Sequence, residues 1–356
     1  MLKSINENSQ KSKLAPVSIL IPAYNEENSI AQTLDSLTSQ TWIPEKIIVI
    51  DDFSSDKTGE IARSYRGVDV VRPPKNTGSK AGAQNFAMPS VTSKYTIALD
   101  ADTSLDENAI EKMIKFMDDN PDASASCTFV IPKKVKTIME RGRYIEYMFV
   151  FAFYKIIQDW YGKPFISSGC FSIYKTDDLK NAGCWSTRTM AEDMDLTWTL
   201  YEQGKIVRFN PDNYCYPIEP ENLDMMSKQL TRWSHGLFQN LKIHWPKIKK
   251  IPGLREIVIA AIVDVFVGGS IALVVGPTVA IVFGDPTLIL YGVVSDFVFI
   301  SIPVIWKGWK LKQLRKVLTS LPSFYVLRWV NGYHLYKAAI KEYLLHKTLT
   351  KFEKGH

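Results

Sequence analysis

Residues 17–37 read VSILIPAYNEENSIAQTLDSL, and the order of textures in this stretch decides the fold. The apolar run 17–22 predicts a buried strand, and Ile30, Leu34 and Leu37 then recur at helical spacing behind an acidic first turn at Glu26 and Glu27. The pattern repeats in KIIVID (46–51), the turn-rich DFSSDKT, a helix to about residue 65 and a strand near 68–72. Alternation of this kind predicts a parallel sheet covered by helices. A fourth strand, YTIALD, ends at Asp100, after which a helical pattern resumes. Ligands of open sheets lie beyond the carboxyl ends of the strands. PAYNEE, DDFSSD and DADT each begin at such an end, so three polar clusters are expected to converge on one crevice.

The 356 residues are 46% hydrophobic, but the distribution is uneven. To about residue 255 polar and apolar residues mix at globular frequency, whereas 257–306 is almost continuously apolar apart from Gly284-Asp285-Pro286. Two membrane spans are expected, at 257–283 and 287–306. A third segment, 321–345, carries Arg328, His334, Lys337 and Lys341 and reads either as a polar span or as an interfacial helix. Asp264 and Asp296 fall inside the first two spans, as a helix contact or an acceptor path. The net charge of +6 is concentrated at Lys242, Lys247, Lys249, Lys250 and Arg255 before the first run, and at Lys307, Lys310, Lys312, Arg315 and Lys316 after the second. These clusters mark the cytoplasmic side of a membrane and not a nucleic-acid footprint.

Cys127, Cys170, Cys184 and Cys215 have neither zinc-site nor disulfide-framework spacing and are expected as reduced thiols. The polar residues 1–16 lack an apolar signal core, so the domain that follows is expected to stay on the cytosolic side. The aromatic-rich stretch 139–160 reads as a helix packed on the domain or lying at the membrane surface.

Four clusters can carry chemistry. Asp100 and Asp102 stand two apart at a strand end, where a period of two aims both at one face; the paired carboxylates suit Mg²⁺ or Mn²⁺ that also binds phosphate, or they stand in a solvated turn. In NTGSKAGAQN (76–85) Lys80 enters a helix from a glycine-containing turn and can meet a diphosphate, or can stand as an exposed lysine in a structural turn. Gln229, Arg232 and Trp233 share one helical face, offering a guanidinium fork to a diphosphate and an indole to a sugar, or an Arg-Trp pair to lipid headgroups. MAEDMDLTWTL (190–200) puts Glu192, Asp193 and Asp195 at the head of an expected amphipathic helix.

PAYNEE, VIDDFSSDKT, GSKAGAQN, LDADT, SSGCFSIYK, AEDMDLTWTL and PENLDMMSKQLTRWSHG follow one another as in the membrane-bound family 2 glycosyltransferases. The chain most resembles processive synthases of cellulose, chitin, hyaluronan and poly-N-acetylglucosamine. The resemblance implies an α/β GT-A fold at 17–240, Rossmann-like and nucleotide-sugar-binding, followed by a domain of transmembrane helices at 241–356. It also implies a UDP-sugar donor and inversion at the anomeric carbon. By the same match Tyr24, Glu26, Asp51 and Asp52 bind the nucleoside, Lys80 faces the diphosphate, and Asp100 and Asp102 hold the metal, Asp102 the more directly. Gln229, Arg232 and Trp233 close over the donor, and Asp193 is the general base. Glu192 and Asp195 keep a plainer role as negative charges at a helix N-terminus.

The implied setting is the cytoplasmic membrane, with polysaccharide or lipid as acceptor. Two or three helices cannot enclose a polysaccharide channel. Either copies assemble as a homo-oligomer, or an export partner supplies the pore, or nothing long is exported.

Overall fold

The computed structural model describes residues 13–264, 276–285 and 287–350. The chain divides into two compact units, one of residues 1–133, 166–218 and 350–352, the other of 134–165, 219–349 and 353–356.

The first unit is built on one eight-stranded sheet. Its strands are β1 (Lys13–Ala23), β2 (Trp42–Asp51), β3 (Val68–Val71), β4 (Tyr95–Leu99), β5 (Thr103–Leu105), β6 (Ala123–Val130), β7 (Phe171–Lys175) and β8 (Ile206–Pro217). Their order across the sheet is β3-β2-β1-β4-β7-β6-β8-β5. The first four are parallel, as the alternation predicts, but β7 runs antiparallel to both β4 and β6, and β5 antiparallel to β8. The sheet is therefore mixed and not wholly parallel.

Helices cover this sheet through regular apolar faces. Ile30, Thr33, Leu34 and Leu37 are buried along helix Ile30–Thr38, and Ala109, Ile110, Met113, Ile114 and Met117 along helix Ala109–Asp119. Each large aliphatic side chain removed from water in this way contributes roughly 1.5–3 kcal/mol. Helix Glu192–Glu202 departs from expectation: it is not amphipathic, because Glu192, Met194, Asp195, Leu196, Thr197, Trp198, Leu200 and Tyr201 are all buried.

The second unit is helical. Thr137 caps helix Ile138–Phe149 in a reciprocal capping box with Glu140. The aromatic stretch continues through a π-turn at Val150–Tyr154 into helix Lys155–Trp160. Tyr144 and Phe149 are buried, whereas Trp160 is 79% exposed. Gly142 packs so closely on Leu327 and the Ser323 carbonyl that an added Cβ would lie 2.7 Å from each. Helix Leu223–Ile248 carries Gln229, Arg232 and Trp233, and Asn222 caps its start by accepting from the Met225 amide.

Among the described residues no helix is long and apolar enough to cross a membrane. Residues 265–275 of the expected first span lie outside the described residues, as do residues 1–12 of the expected polar tail. The expected span 287–306 falls within helix Thr287–Lys310, and 321–345 within helix Leu314–Ala339 and the π-turn after it. Asp296 makes a helix contact, its Oδ2 lying 3.0 Å from Arg328 Nη1.

Candidate active site

The carboxyl ends of β1 and β2 are tied together by their own loops. The Asn25 amide donates to Ser54 Oγ and the Glu26 amide to Thr58 Oγ1, while the Asp52 amide donates back to the Ala23 carbonyl. Glu26 turns its carboxylate to Ser29 Oγ at 2.6 Å, and Tyr24 is 45% exposed beside it in sequence.

Asp51 is fully buried, its oxygens held by the Ser54 amide at 2.9 Å and by Arg72 Nη1 at 2.8 Å. Gly59 makes room for it, since a Cβ there would lie 2.4 Å from Asp51 Oδ2. Asp52 accepts from the Thr77 amide and hydroxyl at 2.8 and 2.9 Å. These two aspartates fix the loops that follow β2 and β3.

The next segment presents Lys80. Ser79 caps helix Lys80–Ala87 by accepting from the Gly82 amide, so Lys80 is its first residue. Its ammonium pairs with Asp100, donates to the Gly169 carbonyl at 2.9 Å and lies 3.9 Å from Glu192. Burial works against this charge, but Asp100, then Glu192 and Asp193, outweigh it and hold the ammonium above its ordinary range.

Gly169 joins the two halves of the cluster. Its carbonyl accepts from Lys80, and its amide donates to Asp193 Oδ2 at 2.9 Å. An added Cβ would lie 2.8 Å from the ammonium and 3.1 Å from that same oxygen. The second oxygen of Asp193 accepts from the Met194 amide at 2.9 Å.

Among the three carboxylates of the 190–200 segment the structure discriminates clearly. Asp195 is 1% exposed and takes a bidentate fork from Arg188 at 2.8 and 2.7 Å, a structural pair. Glu192 and Asp193 face Lys80, so Glu192 is more than the plain helix-end charge expected of it.

The LDADT segment differs from its expected shape. β4 stops at Leu99, and residues 100–103 form a tight turn closed by the Thr103 amide on the Asp100 carbonyl. The Asp100 amide is drawn to the Cys170 carbonyl at 3.1 Å, so a strand's period of two does not orient this pair. Asp100 points to Lys80, while Asp102, 8% exposed, accepts from Thr103 Oγ1.

Among the described residues no group of three or more His, Cys, Asp or Glu gathers to hold a metal ion. Two carboxylates alone fit an ion that keeps phosphate and water among its ligands. Cys170 and Cys215 are free thiols with sulfurs 3.8 Å apart, and their mutual contact, followed by burial, raises the Cys170 thiol well above its usual range.

Tyr24, Glu26, Asp51, Asp52, Lys80, Asp100, Asp102 and Asp193 thus all belong to the first unit. Lys80, Asp100 and Asp193 form one connected cluster through Gly169. Gln229, Arg232 and Trp233 belong to the second unit. Nothing in the sequence singles out Gly169, Arg72 or Thr77, although Gly169 lies in SSGC and Thr77 in NTG.

Residues 18–183 match the family described as Glycosyl transferase family 2. The chain carries a family 2 glycosyltransferase domain. The chain is 30% identical over 251 residues to the poly-beta-1,6-N-acetyl-D-glucosamine synthase of Staphylococcus epidermidis, covering 69% of this chain and 61% of that protein. The synthase of the same description from Staphylococcus aureus strain MSSA476 is 29% identical over 227 residues, covering 63% and 55%. The chain therefore spans about three fifths or less of the length of these relatives.

Two solved structures share the glycosyltransferase fold. A mannosyltransferase from Pyrobaculum calidifontis, in complex with GDP-Man and Mn²⁺, aligns with TM-score 0.59 at 18% identity, over 94% of this chain and 90% of that one. Staphylococcus aureus TarS in complex with UDP aligns with TM-score 0.51 at 16% identity, over 86% and 90%. At these identities the likeness establishes the GT-A fold alone.

Proposed function

We propose that this chain is a membrane-anchored inverting glycosyltransferase with a cytosolic active site. It moves a sugar from a UDP-sugar, such as UDP-N-acetylglucosamine or UDP-glucose, to the end of a growing β-linked polysaccharide. The observation that carries this reading is the cluster in which Gly169 joins a carboxylate at 193 to an ammonium at 80 and, beyond it, a carboxylate at 100.

A sugar hydroxyl is a poor nucleophile until its proton leaves. Asp193 takes that proton while the oxygen bonds to the anomeric carbon and the bond from that carbon to UDP breaks. A positioned carboxylate base contributes roughly 10²- to 10⁴-fold. The backbone amides of Gly169 and Met194 hold both of its oxygens, which limits the rotation it must lose. Lys80 places fixed positive charge beside Asp100, where the diphosphate charge develops in this reading.

Asp102 and Asp100 would hold Mg²⁺ or Mn²⁺, which when bound supplies further charge neutralisation for the leaving group. Gln229, Arg232 and Trp233 keep, as part of this proposal, the donor-binding role the family resemblance gives them. Anchoring is supported by the apolar surface of helix Thr287–Lys310, on which Phe297, Val298, Ile302 and Trp306 are exposed.

The test is incubation with radiolabelled UDP-N-acetylglucosamine and divalent metal, followed by separation of products by size. A metal-dependent ladder is expected, and EDTA removes it. One lipid-extractable product instead assigns single-sugar transfer to a lipid. No UDP release from any of a panel of nucleotide sugars reduces the chain to a non-catalytic subunit.

A further inference from the structure

The second unit contains a guanidinium that the functional reading has not used. Arg143, on helix Ile138–Phe149, is only 1% exposed, and it lies among two carboxylates, a carboxamide, the Met226 sulfur and two aromatic rings. Nη1 pairs with Glu146, and Nε lies 3.4 Å from Glu219 Oε2, so two carboxylates balance its charge. Glu146 is itself fixed, its other oxygen accepting from Asn331 Nδ2 at 2.7 Å. The remaining nitrogen, Nη2, donates to Gln229 Oε1 at 2.9 Å. The guanidinium also lies 4.7 Å from the centre of the Trp233 ring, within cation–π range. A single buried side chain therefore touches two of the three residues that define the QLTRW segment.

The chemistry of the two groups dictates more than contact. A guanidinium has five donors and no acceptor, so it accepts only the oxygen end of a carboxamide as neighbour. Gln229 must turn its Oε1 inward, and its Nε2 group is left pointing away from Arg143. That Nε2 has no hydrogen-bond partner among the described residues. Gln229 thus offers a ligand donors only, and what it recognises is an acceptor oxygen. Trp233 packs against the core of Met139, Met226, Leu230 and Leu327, with Arg143 over its ring.

We infer that Arg143 is a positioning residue of the transferase: it fixes the amide polarity of Gln229, which then donates to an oxygen of the sugar nucleotide, and it holds the plane of Trp233. The inference rests on the donor-binding role proposed for the Gln229–Trp233 segment.

The test uses the full chain in lipid nanodiscs, with UDP release, donor KM and thermal melting measured together. Gln229→Glu keeps the contact with Arg143, strengthens it by charge, and removes the outward donor. Its melting temperature stays at or above that of the unaltered protein, while kcat falls about 10²-fold and donor KM changes far less, as for loss of one preorganised donor. Arg143→Lys retains the charge that Glu146 and Glu219 require but loses the fork. It lowers kcat in the unaltered chain, and that loss shrinks or disappears when Gln229→Glu is already present, the non-additivity expected of a residue acting through another.

Normal turnover by Gln229→Glu overturns the inference. So does a loss from Arg143→Lys that is undiminished in the Gln229→Glu background, which would make its role structural. An unaltered chain that releases no UDP from any donor breaks the proposed function first, and the inference falls with it.

Discussion

Each unit holds a cation among carboxylates, and the two cations are chemically different. Lys80 is a point charge with 17% of its side chain exposed, held by Asp100, Glu192 and a backbone carbonyl. Arg143 is a planar fork with 1% exposed, with Nη1 on Glu146, Nη2 on Gln229 and the Met226 sulfur, Nε 3.4 Å from Glu219, and an indole against its face. An ammonium can exchange one oxygen for another with little rearrangement, so the Lys80 cluster suits a site whose partners change as substrate arrives. A guanidinium locked in three directions suits a support that stays fixed while chemistry happens elsewhere.

This contrast can be broken most decisively at Asp193. Asp193→Asn keeps an acceptor for only one of the two backbone amides, so a small fall in melting temperature is expected, while UDP release falls about 10²- to 10⁴-fold. Turnover at the unaltered rate would remove the base from its role. Gly169→Ala comes next: the new methyl lands on the ammonium and on the carboxylate oxygen, and a displacement of this order costs about 10²-fold in kcat. Equal activity would mean the cluster need not be as tight as it is drawn.

In the second unit the effect should appear in stability before rate. Glu146→Gln removes one charged partner of Arg143 and one acceptor of Asn331, lowering stability by about 1–3 kcal/mol in chemical denaturation. A change below the error of the fit would show that Glu219 alone satisfies the guanidinium. The smallest effect belongs to Asp195→Asn, which weakens a fork to the half-exposed Arg188 at a cost of about 1–2 kcal/mol, with kcat unaltered. A fall in kcat comparable to that of Asp193→Asn would erase the distinction between the neighbouring carboxylates.

The parallel half of the fold was legible because β1, β2, β3 and β4 announce themselves by apolar runs ending in polar turns. The antiparallel half was not, because β7 and β8 pair with partners distant in sequence and no local periodicity records direction. Lys80, Asp100 and Asp193 could be named from motifs, but the residue that joins them could not. Gly169 matters for a side chain it lacks, and a sequence does not show what would collide with it. Arg143 stayed hidden for the opposite reason, since it sits in a run of aromatic residues that reads as packing, and a charge there draws attention only once its neighbours are in place.

The Asp193 carboxylate and the Lys80 ammonium are bridged by a single residue, 169, whose amide serves the one and whose carbonyl serves the other. On the proposed function, changes elsewhere around the donor alter which sugar is admitted without retuning that spacing. Recognition and chemistry are separable on that reading, and an engineer seeking a new product would vary the first and leave this glycine alone.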